Sequence, residues 1–107
     1  MKLIIAIVQR EDASRLQHAF AKENIRATKL ATTGGFLSEG NTTFLIGIDE
    51  KHVKKVMRLI QGESQGREEY MNPNLSMTGF DVSSQPVKIT VGGATCFVLP
   101  VEEFKQF

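Results

Sequence analysis

The chain has 107 residues, of which 41% are apolar and 23% charged, and its formal net charge is +1. That is the length and composition of one folded soluble domain rather than of a disordered chain. It also excludes the broad basic field of a sequence-independent nucleic-acid binder, while a single cysteine, Cys96, excludes an intramolecular disulfide and a multi-cysteine zinc site.

The chain opens on MKLIIAIVQR, with six consecutive apolar residues before Gln9. The run is too short for a signal-peptide core or a membrane span. With a lone thiol suited to a reducing compartment, a cytoplasmic chain without membrane insertion is expected. Leu3 to Val8 is β-branched and unbroken, the pattern of a strand buried on both faces. Asp12 is placed to cap a helix whose apolar stripe is Ala13, Leu16 and Phe20 and which should end near Asn24. Ile25 to Thr32 is a mixed strand with Arg26, Thr28 and Leu30 on one face.

The stretch TTGGFLSEGNTTFLIGID, residues 32–49, joins that strand to the next. Thr42, Phe44, Ile46 and Ile48 share one face of the second strand of this pair, and Thr43, Leu45 and Gly47 the other. Asp49 or Glu50 can cap a second helix, striped by Val53, Val56, Met57 and Ile60, with Gly62 placed to end it. Residues 63–85 show no sustained period and are expected to form a long loop, which in a small domain is usually functional or unstructured. After Pro86, VKITV alternates, Gly92-Gly93 turns or bulges, and ATCFVLPV runs on as a strand.

The order β-α-β-β-α-β, with a broken or doubled last strand, is the α+β ferredoxin-like arrangement. Two helices cover one sheet face and leave the other open. Because Leu3 to Val8 is apolar on both faces, other copies of the chain are the economical cover, and an oligomer is expected.

Three stretches then carry a resemblance over the whole chain: MKLIIAIVQ, NIRATKLATTGGFLSEGNTTFLIGI and VGGATCFVLPVEEFKQF. In them the sequence closely resembles the PII-like cyclic-di-AMP receptors of Gram-positive bacteria. The resemblance implies one PII-like domain over residues 1–107, with an extra C-terminal strand, assembling as a homotrimer whose sheets face inward. It implies cyclic-di-AMP at the clefts between subunits, a signal passed to an unknown protein target, and no enzymatic activity or further cofactor. Ordinary PII proteins have a long loop between the second and third strands and a short one after the second helix. Here residues 34–41 are short and 63–85 long, and no basic cluster for ATP phosphates is visible. A PII-like regulator of another nucleotide such as ATP is the alternative on the same fold.

A cyclic dinucleotide offers two purine faces and two phosphates, so its receptor needs stacking surfaces, edge readers and close backbone approach. Gly34 and Gly35 can bring backbone amides to an anion. Phe36 can stack on an adenine with Leu37 flanking it, or both can plug the core. Arg26 can stack or meet a phosphate and Thr28 can hydrogen-bond, or both can be solvated strand residues. Asn41 has the donors and acceptor to read an adenine edge, or it belongs to a Gly-Asn turn. Gly47 marks a close approach or a bulge. Gly92 and Gly93, with Phe97 nearby, form a second glycine site from the neighbouring subunit or an ordinary hairpin turn. Asn24 completes the candidates and is better explained as a helix end.

No catalytic or metal site is expected. His18 and His52 lie on separate helices, Cys96 is expected to be a small buried apolar group, and the adjacent pairs Glu68-Glu69 and Glu102-Glu103 diverge. RNA binding needs paired aromatics on the central strands and a basic surface, which one Tyr, no Trp and a charge of +1 do not supply.

Overall fold

A computed structural model describes residues 1–30, 40–71 and 87–107. Strand β1 (Lys2–Gln9) passes directly into helix α1 (Arg10–Lys22). Strands β2 (Thr28–Leu30) and β3 (Asn41–Ile48) follow, then a short turn of helix and α2 (Val53–Ser64). Strands β4 (Arg67–Met71), β5 (Val87–Val91) and β6 (Ala94–Pro100) complete the chain.

The main sheet has the order β2-β3-β1-β6. Its neighbours pair antiparallel throughout, with Ala6 facing Phe44 on one side and Cys96 on the other. This α+β sheet with two helices is compatible with the ferredoxin-like arrangement. The helices cover the face formed by Ile4, Ala6, Val8, Phe44 and Ile46, all of them buried. Leu16 and Phe20 from α1 and Val56 and Ile60 from α2 close on it. Phe20 meets Phe44 edge to face, the ring centroids 5.8 Å apart at 82°, the geometry the ring quadrupoles favour.

Four expectations need correction. Within one copy, β1 is buried on one face only: Leu3, Ile5 and Ile7, on the side away from the helices, are half-buried. Asp12 does not cap α1. The extended residue at the helix start is Gln9, and Asp12 lies in the first turn, fully buried. A carboxylate there suits the positive end of the helix dipole. Gly62 does not stop α2, which continues to Ser64 and ends where Gln65 turns extended. Ser64 is buried and its hydroxyl donates to the Ile60 carbonyl, satisfying a polar group that would otherwise be stranded.

The fourth correction concerns residues 63–85. Glu63 and Ser64 end a helix, and Arg67–Met71 is a strand paired antiparallel with Val87–Val91. The last strand region therefore divides into β5, which belongs to a two-stranded ribbon, and β6, which belongs to the main sheet. Gly92 and Gly93 join them with φ of 80° and 98°. They form the junction between the two sheets, and the hairpin-turn alternative is excluded.

Candidate functional site

The side of the main sheet away from the helices carries the odd-numbered residues of β1 and β3. One end of it is built where β1 stops and β3 starts. Gln9 pairs with Asn41 there, and the Arg10 amide donates to the Gly40 carbonyl at 2.7 Å. Gly40 takes the left-handed conformation, φ 88°. The turn therefore uses Gly40 for its special geometry, and Asn41 enters the strand as a normal residue.

The chain returns to this end at Gly92. The Gly92 amide donates to Gln9 Oε1 at 2.7 Å, and the Gly93 amide donates to the Ser64 carbonyl. Between these segments lies a cleft of about 360 Å³, lined by Ile7, Gln9, Asn41, Gly92, Gly93 and Thr95 among others. The structure thus brings together Asn41 and Gly92, which the sequence offers as separate candidates. It adds Gln9, Ile7 and Thr95, which the sequence reading passed over. A signal for Gln9 was present. It is the first polar residue after an apolar strand and shares the period-2 face of Ile5 and Ile7.

The remaining described candidates sit elsewhere. Asn24 has φ 58°, and with the Ile25 amide bonded to the Phe20 carbonyl at 2.8 Å it closes α1. Its geometry is accounted for by the helix end, and its exposed side chain borders a small cleft of about 140 Å³ with His52 and Lys55. Arg26 and Thr28 are exposed, and because β2 begins only at Thr28, Arg26 precedes the strand instead of sharing its face as expected. Among the described residues Arg26 makes no ion pair. Thr28 pairs with Leu45, two residues from Gly47 on the same open face. The register through Gly47 is continuous, so the bulge alternative fails. Nothing lies within 4 Å of where a Gly47 Cβ would stand. Packing among the described residues therefore does not require a glycine at this position.

Phe97 is 51% exposed on edge strand β6, opposite Ile5. The row Phe97, Ile5, Leu45, Thr28 crosses all four strands, which separates Phe97 from Thr28 by about 14 Å at the usual strand spacing. Along β3, Asn41 and Gly47 are six residues, about 20 Å, apart. Gly35, Phe36 and Leu37, with Gly34, lie outside the described residues.

Chemically the site is neutral and polar at the cleft and apolar across the open face. Among the described residues no group of three His, Cys, Asp or Glu side chains converges to hold a metal. Cys96 lies on the helix side, against a separate cleft of about 500 Å³ beside Met57, Ile60 and Ser64. Burial raises its thiol pKa above the ordinary value of 9.0, so it is no activated nucleophile. Among the described residues no helix is long and apolar enough to cross a membrane.

The family model described as cyclic-di-AMP receptor matches residues 1–107, the whole chain. Among solved structures, a functionally unknown protein from Pediococcus pentosaceus ATCC 25745 is 51% identical. Its crystal structure superposes with a TM-score of 0.79, covering 99% of this chain and 96% of that one.

Proposed function

The chain belongs to the cyclic-di-AMP receptor family, and from that premise we propose that it binds one cyclic-di-AMP at each cleft between neighbouring subunits of a homotrimer. The observation that carries this is the division of the candidate residues into two separated groups. Asn41 and Gly92 line the 360 Å³ cleft, whereas Thr28 and Gly47 lie toward the other end of the open face, on and beside the β2 edge. A volume near the lower end of ligand sites, about 300–1,000 Å³, holds part of a cyclic dinucleotide. The rest of the ligand is met by Arg26, Thr28 and the bare backbone at Gly47 of the next copy.

The open face supports assembly. Phe97 and Leu99 are exposed there beside half-buried Leu3, Ile5 and Ile7. Apolar groups in such a row are usually covered by a partner surface. Arg26 makes no ion pair among the described residues, and its guanidinium can meet a phosphate or an adenine face. Phe36 supplies stacking, and Asn41 the edge contact. Binding then changes the loops that flank the cleft, and a protein partner in the cytoplasm reads the difference. Such a switch requires ligand affinity to differ between loop states.

Complementation tests the site. Calorimetric titration should show selective cyclic-di-AMP binding near one per subunit, with cyclic-di-GMP and ATP as controls. Arg26→Ala and Asn41→Ala chains should each lose binding. When the two are unfolded and refolded together, mixed trimers should recover part of the sites, because some clefts then combine an intact Arg26 with an intact Asn41. Absence of recovery, with both variants folded and trimeric, would place the whole site within one copy and overturn the proposal.

A further inference from the structure

The root of the β4–β5 ribbon is fastened at the back of the cleft. Asp12, on α1, is fully buried. Its Oδ1 accepts from Arg67 Nη2 at 2.9 Å and from Arg15 Nη2 at 2.8 Å. Arg67 is the first residue of β4 and reaches Asp12 over 55 positions of sequence. Arg15 extends the fastening to α2, with Nε 3.0 Å from the Glu63 carboxylate and Nη2 2.9 Å from its carbonyl. Asp12 Oδ2 is buried and has no partner among the described residues, so the carboxylate depends on the two guanidinium groups.

The same Arg67 lies against Gly92, a residue of the cleft lining. A Cβ built on Gly92 would stand 2.6 Å from Arg67 Nη1 and 2.8 Å from the Gln65 carbonyl. Gly92 is thus held between two sides. Its amide is bonded forward to Gln9, a cleft residue, and the space a side chain would need is taken by Arg67 and the Gln65 carbonyl. Arg67 also pairs with Val91, the residue before Gly92, so the ribbon root and the Gly92 backbone adjoin.

We propose that Arg67, anchored by buried Asp12, is a positioning residue that fixes the Gly92 backbone at the cleft and couples the ribbon's position to the ligand. The binding half of this proposal rests on the reading of the cleft given above; the mechanical half does not. A ligand that engages Gly92 selects the latched arrangement of Arg67. Conversely, a partner that pulls the ribbon away from α1 weakens the site. By linkage the two effects are equal in free energy.

The test uses full-length Arg67→Gln, Arg67→Lys and Asp12→Asn chains. Amide hydrogen exchange without ligand should accelerate about tenfold at Gly92, Gly93 and the β4–β5 pairs, a typical size for such coupling, while Ile4 to Val8 stay protected. Cyclic-di-AMP affinity should fall by a similar factor of about ten in Arg67→Gln. Arg67→Lys should recover part of it through the retained charge on Asp12. Should Arg67→Gln fail to fold, Asp12→Asn, which keeps the acceptor and removes the charge, carries the same readings. Unchanged exchange at Gly92 in a folded variant overturns the latch. Uniform acceleration across β1 as well would make Asp12–Arg67 a plain stability element and also overturn it. Absence of cyclic-di-AMP binding by the unaltered chain overturns the ligand assignment instead, and leaves the exchange result to decide the latch.

Discussion

Gly92 and Gln9 are joined across 83 positions of sequence by one 2.7 Å hydrogen bond, from the glycine amide to the glutamine side-chain oxygen. The amide of this candidate glycine is therefore engaged by the chain's own carboxamide, which a phosphate oxygen would have to displace to reach it. Gln9→Glu keeps the acceptor and adds a negative charge inside the cleft. Cyclic-di-AMP binding should weaken about tenfold or more, as one uncompensated like charge of about 1.4 kcal/mol requires. The loss should shrink in high salt, because screening shortens the range of the repulsion. Titrations of Gln9→Glu at two salt concentrations check both statements.

The two junction glycines should respond differently to alanine. Both have positive φ, which costs an L-residue roughly 1 kcal/mol. Gly93 has open space where the methyl would go, whereas at Gly92 the methyl would meet Arg67 and the Gln65 backbone inside 3 Å. Gly93→Ala should lose about 1 kcal/mol of stability. Gly92→Ala should lose more, about 2–4 kcal/mol once overpacking is added, and should release Arg67. Urea unfolding of the two variants side by side measures the difference, which vanishes only if Arg67 and the Gln65 backbone both give way without cost.

The core makes a third prediction. Phe44 is fully buried and carries the ring contact with Phe20 that ties β3 to α1. Phe44→Ala should cost about 3–5 kcal/mol, a large share of the roughly 5–15 kcal/mol available to a domain. Phe44→Leu keeps most of the volume and should cost less. Unfolding midpoints of both, with unchanged m-values, check it.

These residues also show what was legible in the sequence. The strand and helix faces around Phe44, Leu16 and Ile60 were readable because period 2 and period 3.6 record burial locally, residue by residue. The β4 strand was not. Among the described residues REEYM pairs with β5 alone in a two-stranded ribbon, outside the main sheet whose faces impose the alternation. Asp12 was misread for a related reason. An Asp before an apolar stripe most often caps a helix, and nothing near it in sequence announces that Arg67 will claim it. At the site, Asn41 and Gly92 were readable as residue types, but their meeting at one cleft depends on the sheet register. Gln9 was overlooked although its strand face was known.

The open face gives a fourth prediction. Phe97→Asp places a charge on the exposed edge beside Ile5 without entering the helix-covered core. The folded monomer should survive, since an exposed substitution changes stability by about 0.5 kcal/mol or less. Sizing by light scattering should show the proposed trimer lost. A trimer retained by Phe97→Asp would mean that assembly uses a different face.

Cys96 allows a prediction in pH. Burial raises its thiol pKa in the folded chain above the 9.0 of an exposed cysteine. Between those two values the folded state holds the proton more tightly than the unfolded state does. Stability from this group is therefore complete below about pH 9 and falls as pH rises beyond it, following the linkage sign for a raised acid. Alkylation by iodoacetamide at pH 8 should be slow in the folded chain and fast in urea, since the thiolate is the nucleophile. Cys96→Ala should flatten that alkaline fall in stability. Equal alkylation rates in the folded and unfolded chains would show that the thiol is not desolvated beside Ala6, and the cleft between α2 and β6 would then be open to water at that point.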